Sequence, residues 1–303
     1  QRISTDPVVA DGRIFTIDSA ATLVATSTSG ARLWSRDMTP AGDSSTDASG
    51  GGLAIGEGKL FVTNGFGRLL AIDPATGEVL WEQRLGATGS GAPTVFGGLV
   101  YVVSGDDLAW AVDTDTGRVE WQLSSTPDVN NLQVPSAPAV TDKFVIFGFG
   151  SGEVQAAFRK GGLRFWDAGV QGVRIGRALS TVGDISGDPV VVGKTIYVGN
   201  HSGRLVALDA DTGARKWTVE EGALSPVWPA GDSLFFVNER NHLVRLEAAT
   251  GEVIWAKRLA DFIKPRPNRQ VRRYGQYGPV LAGGWLWVAS SEGTLDAYDP
   301  TSG

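Results

Sequence analysis

The chain has 303 residues, 42% apolar and 20% charged, a balance that excludes a disordered chain. It has no cysteine, which removes disulfides, thiolate metal sites and cysteine nucleophiles together, and its net charge of −6 argues against general nucleic-acid binding. No apolar run approaches the roughly 18 residues of a membrane-spanning helix; Phe144 to Gly150 and Gly278 to Ala289 are short and glycine-broken, as buried strands are.

In chain order the sequence is a series of repeats, predicted over residues 6–36, 50–84, 91–123, 136–166, 187–219, 224–258 and, incompletely, 277–303. The first repeat ends at Trp34. The second reads Ala71-Ile-Asp73-Pro-Ala-Thr76-Gly77-Glu-Val-Leu-Trp81, and the third repeats that pattern from Ala111 through Asp113, Thr116 and Gly117 to Trp121. A degenerate fourth copy ends at Trp166, and a faithful fifth runs from Ala207 through Asp209, Thr212 and Gly213 to Trp217. The sixth ends at Trp255, and the seventh begins at Ala297 and Asp299. The tryptophans stand 38 to 51 residues apart, the period of a four-stranded propeller blade. The fold class expected is all-β, a propeller of antiparallel blades forming one domain over residues 1–303.

Each repeat divides into four strands. In the fifth these are Asp188 to Val192, Thr195 to Val198, Arg204 to Leu208 and Arg215 to Trp217, joined by glycine-rich turns. Aspartate and threonine in the third turn bond the local backbone, while glycine supplies the positive φ that closes it. Asp73, Asp113, Asp209 and Asp299 are therefore read as turn caps rather than calcium ligands. Trp34, Trp81, Trp121, Trp166, Trp217 and Trp255 are expected to dock between neighbouring blades, near a glycine turn.

No reactive constellation emerges. His201 and His242 each sit in a turn between second and third strands without metal-ligand spacing, and are read as solvated turn residues. There is no Gly-x-Ser-x-Gly elbow, and Gly65-Phe-Gly67 and Gly148-Phe-Gly150 never extend to a dinucleotide fingerprint. The Asn200-His-Ser202 sequon is a pattern that arises by chance. No catalytic residue, metal or cofactor is assigned.

Function is expected on loops. The long connections, 37–50, 124–135, 167–186 and 256–276, all join the outer strand of one blade to the inner strand of the next, which places them at one face. The 124–135 and 167–186 loops mix apolar and polar residues, Val170 and Ile185 among them, and suit a protein interface. The 256–276 loop carries Lys257, Arg258, Lys264, Arg266, Arg269, Arg272 and Arg273 against Asp261, a charge of +6 that leaves −12 for the rest of the chain. Lys264, Arg266, Arg269, Arg272 and Arg273 form a possible basic contact for an acidic partner or lipid headgroups.

At Leu179-Ser-Thr-Val-Gly-Asp184-Ile-Ser-Gly-Asp188-Pro-Val-Val191 and Gly203 to Asp209 the sequence resembles BamB, the lipoprotein propeller family of the outer-membrane β-barrel assembly machine. The likeness runs along all seven repeats. Trp228 to Val237 and Tyr277 to Gly284 look like alphaproteobacterial members. The resemblance implies an eight-bladed ring at the periplasmic face of the outer membrane, held there by a lipid anchor absent from this chain. It implies binding to the POTRA domains of BamA, help to nascent outer-membrane proteins, and no bond chemistry.

The family's partner contacts map onto Asn130, Leu132 and Gln133 before Ser136-Ala-Pro138, and onto Asp184 and Ser186. Leu132 and Asp184 match the family pattern; Asn130, Gln133 and Ser186 depart from it. The chain carries no signal peptide and reads as a mature or trimmed piece of something longer, with residues 1–5 expected to extend towards the closure of an eighth blade. Two other readings compete: a fragment of a quinoprotein (PQQ) dehydrogenase, whose relatives share the repeat, and a ligand-sensing propeller.

Overall fold

Runs of β-branched, aromatic and aliphatic residues broken by glycine, aspartate and asparagine set this chain into short strands. The computed structural model describes residues 5–45, 51–125, 135–170, 185, 187–200, 202–223, 225–263 and 272–303. Among them lie 27 strands in seven antiparallel sheets, each with its strands in sequence order. Residues 1–167 and 168–303 form two compact units.

The first unit holds four sheets. The first contains β1 (Val8–Ala10), β2 (Arg13–Ile17), β3 (Thr22–Ser27) and β4 (Arg32–Asp37). The second contains β5 (Gly51–Gly56), β6 (Lys59–Asn64), β7 (Arg68–Ile72) and β8 (Val79–Arg84). The third contains β9 (Thr94–Phe96), β10 (Leu99–Val103), β11 (Leu108–Asp113) and β12 (Val119–Ser124). The fourth contains β13 (Ala139–Val140), β14 (Phe144–Gly148), β15 (Glu153–Phe158) and β16 (Arg164–Gly169).

The second unit holds three sheets. The fifth contains β17 (Val190–Val192), β18 (Thr195–Asn200), β19 (Arg204–Asp209) and β20 (Arg215–Val219). The sixth contains β21 (Trp228–Ala230), β22 (Ser233–Val237), β23 (His242–Glu247) and β24 (Val253–Arg258). The seventh has three strands, β25 (Gln276–Ala282), β26 (Trp285–Ser290) and β27 (Leu295–Tyr298). Among the described residues no helix is long and apolar enough to cross a membrane.

Burial follows position in the sheet. In the second, third and sixth sheets the second strand is buried along nearly its whole length, because a neighbouring sheet packs on each face. In the first and seventh it is buried only at alternate residues. The fourth strands alternate, with the tryptophan turned inward and charged residues outward. The core is therefore laminar. Phe15 and Leu23 of the first sheet pack with Leu60 and Val62 of the second, and Phe61 and Leu69 of the second with Val100 and Val112 of the third. Leu205 of the fifth meets Phe236 of the sixth, and Phe235 of the sixth meets Leu286 of the seventh.

The repeat's small first residue has a steric cause. Ala25, Ala71, Ala111 and Ala207 stand directly opposite Trp34, Trp81, Trp121 and Trp217 on the neighbouring strand, and all four are fully buried. The register shifts immediately after each of these pairs. A bulge there increases local twist and swings the indole off its own sheet.

The aspartate turns close as local caps. Asp113 Oδ1 accepts from the Thr116 amide at 2.7 Å and its hydroxyl at 2.8 Å, and Asp209 Oδ1 accepts from the corresponding groups of Thr212 at 3.1 and 3.0 Å. Asp73 takes the amides of Ala75 and Thr76, and Asp299 those of Thr301 and Ser302. The Thr116 hydroxyl and amide hold the Asp113 carboxyl below its ordinary range, since both donate to the charged form. Backbone amides of Thr301 and Ser302 do the same for Asp299.

His242 differs from its sequence reading. It is the first residue of β23, half-buried, with Nδ1 enclosed and without a hydrogen-bond partner. The Asn238 side chain closes the turn by accepting from the His242 amide at 2.9 Å, which puts the imidazole on the strand. His201 lies outside the described residues.

Candidate partner-binding loops and the joints that carry them

Loops hold a partner only if the blades beneath them are fixed, and the joints between blades recur in one form. The ring of Trp34 lies against Gly77 of the next sheet, where an added Cβ would sit 2.9 Å from the indole. Trp81 lies on Gly117, Trp121 on Gly162 and Trp217 on Gly251 in the same way. Each indole N–H then donates to a carbonyl in that turn: Trp34 to Pro74 at 3.1 Å, Trp81 to Thr114 at 3.0 Å, Trp121 to Arg159 at 2.9 Å and Trp217 to Ala248 at 3.0 Å. Trp166 is buried on β16.

Sequence reasoning missed the other half of the joint. Phe15, Phe61, Tyr101, Tyr197 and Phe235, all on second strands, lie 5.8 to 6.1 Å from the tryptophan of their own sheet. In four of the five the aromatic precedes its tryptophan by 20 residues, a spacing that would have found them.

Trp255 is the exception. It rests on Gly303, but its indole N–H is buried without a partner, and Arg245 donates instead to the corresponding carbonyl, Pro300, at 3.2 Å. Trp217→Phe is therefore expected to cost about 1 kcal/mol more than Trp255→Phe. Urea unfolding of both variants measures the difference, and equal costs would show that the N–H contributes nothing at Trp217.

In an antiparallel meander the turns after the first and third strands leave at one end and the remaining connections at the other. The long connections fall in the second class. Asn130, Leu132, Gln133, Asp184 and Ser186 lie outside the described residues, as do Lys264, Arg266 and Arg269. The structure does describe how their loops are rooted.

The 124–135 loop re-enters through Ser136, which is buried and donates to the Gly148 carbonyl at 3.3 Å. Two residues on, the Pro138 carbonyl takes the Thr94 hydroxyl at 2.6 Å. Gly91 is glycine of necessity, because a Cβ there would lie 2.4 Å from the Pro135 carbonyl oxygen.

The 167–186 loop is clamped at both ends by one residue. Asn200 donates Nδ2 to the Val170 carbonyl at 3.2 Å and pairs by its backbone with Ile185. Val170 and Ile185 are 1% and 3% exposed, so these two apolar residues anchor the loop instead of facing outward.

Asn241 serves the 256–276 loop alike, donating Nδ2 to the carbonyls of Ala260 at 3.3 Å and Tyr274 at 2.9 Å. The base of this loop is a narrow hairpin in which Phe262 pairs with Arg273. Arg273 is already engaged: its Nε is 3.1 Å from Asp261 Oδ1, its Nη1 donates to the Glu239 carbonyl, and its guanidinium covers Phe262 at 4.7 Å. Arg258 reaches the other Asp261 oxygen at 3.6 Å. Arg273 therefore roots the hairpin, while Arg272 is exposed beside it.

The connection between β20 and β21 is locked by charge. Arg240 Nη2 donates to both oxygens of Glu221 at 2.6 and 2.8 Å, Asn238 joins the same carboxylate at 2.6 Å, and Glu239 accepts the Gly222 amide at 2.9 Å. Among the described residues no three His, Asp or Glu side chains gather into a metal-holding group.

Antiparallel blades joined within each unit by tryptophan plates, with the long connections all at the same end of their sheets, are the architecture of a β-propeller. Residues 20–257 match the family model described as "Outer membrane protein assembly factor BamB", and the chain belongs to that family. Proteins of that name from Yersinia pestis and Shewanella oneidensis are each 24% identical to it. The first alignment covers 88% of this chain and 66% of the relative, the second 98% and 74%, so the chain spans about two thirds to three quarters of their length. The crystal structure of BamB from Moraxella catarrhalis superposes with a TM-score of 0.81 at 18% identity, covering 99% of this chain and 86% of that one, which shows the shared fold.

Proposed function

We propose that this chain is a non-catalytic scaffold subunit of the outer-membrane protein assembly complex, acting at the periplasmic face of the outer membrane. In this reading residues 1–303 work as one propeller domain. It binds the POTRA domains of BamA through its loop-bearing face and so assists nascent β-barrels to fold and insert. Family membership supports the role. The observation that carries the choice of face is the double clamp: Asn200 and Asn241 each tie both ends of a long excursion to a buried point, so the loops leave the scaffold at fixed places. Leu132 and Asp184 are the contacts this reading names first, with Asn130, Gln133 and Ser186 beside them.

A binding titration against purified BamA POTRA domains tests the reading. The chain is expected to bind, and Asp184→Arg to weaken binding by about 2–5 kcal/mol, as reversing a desolvated charge does. Binding unchanged by the substitution would move the site to another loop. No binding by a folded chain would sink the proposal.

A further inference from the structure

The fourth sheet departs from the aspartate turn of the second, third, fifth and seventh sheets. Its turn between third and fourth strands has no aspartate cap; it reads Phe158-Arg159-Lys160-Gly161-Gly162-Leu163-Arg164-Phe165. With the adjacent turn, Thr141-Asp142-Lys143, it brings four basic side chains and one acid to the end of the blade opposite the long loops.

The tip also displays apolar surface. Leu163 is 69% exposed, more than any other described large apolar residue, and Phe165 is 52% exposed. Phe165 is rigid despite its exposure, stacked on Phe144 at 5.0 Å and set against Phe158 at 5.2 Å. Arg159 is spent inside, donating to the Asp142 carbonyl and lying over Phe96 at 4.5 Å. Lys143, Lys160 and Arg164, on the same two turns as Leu163 and Phe165, are left exposed.

We infer that this hairpin tip is a contact for an anionic lipid surface. The tip offers two bulky exposed apolar side chains beside three exposed cations on the same pair of turns, a composition that suits the boundary between headgroups and acyl chains. The long stems of Lys143, Lys160 and Arg164 let their charges reach phosphates while Leu163 enters below them. The contact lies away from the 124–135 connection, so it does not depend on the partner-binding reading.

The test is co-flotation of the full chain with vesicles of phosphatidylethanolamine and phosphatidylglycerol, beside vesicles of phosphatidylethanolamine and phosphatidylcholine. Binding to the anionic vesicles alone, weakened by salt, is expected. Each cation near such a surface contributes about fivefold, so Lys143→Gln/Lys160→Gln/Arg164→Gln together should lose on the order of 100-fold. Leu163→Ser, which removes an exposed side chain and leaves the aromatic stack intact, should lose about tenfold. POTRA binding by the triple variant should be unchanged, which separates this contact from the other face. The inference is overturned if the native chain does not float, or if the triple variant floats equally well, for then the 256–276 loop does the binding. Retention on soluble polyglutamate without flotation would also overturn it, in favour of an acidic protein partner.

Discussion

Trp121→Ala is expected to lower stability by about 3–5 kcal/mol, the cost of emptying a large aromatic site. Urea unfolding should show this as a lower midpoint, and heating as a fall in Tm of roughly 10 °C. Trp121 is engaged on every side. Its ring lies on Gly162, where an added Cβ would sit 2.5 Å away, beside Tyr101 at 6.0 Å and edge-on to Phe147 at 6.1 Å. Its N–H donates to Arg159, and removing it strands that carbonyl as well as opening a gap between two sheets. Trp121→Phe keeps most of the plate and should recover most of the loss. A change below about 1 kcal/mol for alanine would show that laminar packing, and not the indole, holds these sheets together.

Gly117→Val should cost nearly as much by the opposite route. Gly117 has φ of +71°, which a β-branched residue adopts only under strain of about 1–3 kcal/mol. Its Cβ would lie 2.7 Å from the Trp81 ring, and the three nearest atoms all belong to that ring. Trp81 cannot step aside, because its N–H is bound to Thr114 at 3.0 Å and Phe61 backs it at 5.8 Å. Overpacking adds about 1–3 kcal/mol. Gly58 separates the two terms: its φ is +70° but nothing lies within 4 Å of an added Cβ, so Gly58→Val carries the strain alone. Equal losses from the two variants would remove the steric part of this account.

The propeller was legible because its signal is periodic: tryptophan, glycine and turn-capping aspartate return at blade spacing, and repetition makes each position informative about the others. Side chains with several roles were harder. His242 lies near a turn in sequence, yet Asn238 claims the turn and leaves the imidazole on β23. Arg273 looked like free charge in a basic run, and only the hairpin pairing brings Asp261 beneath it. Val170 and Ile185 looked like interface material; being apolar at a loop end, they are equally suited to burial, and burial is what Asn200 arranges. For the proposed partner site, composition pointed to the long loops, while Leu132 and Asp184 stood out only through a family likeness. No local propensity marks a residue as a contact for another chain.

The joints have a consequence for how such a chain changes in length. Trp34, Trp81, Trp121, Trp217 and Trp255 each lie on a glycine of the following sheet, from Trp34 on Gly77 through to Trp255 on Gly303. The plate and its seat belong to the same repeat, one serving the neighbour ahead and the other the neighbour behind. Duplicating a repeat in the gene therefore copies a complete fastening, and deleting one brings an intact plate against an intact seat. Insertions of other sizes have no such licence unless they fall in the long connections. Blade number is thus the easy variable of this architecture and blade thickness the hard one, so relatives should differ by whole repeats and by loops.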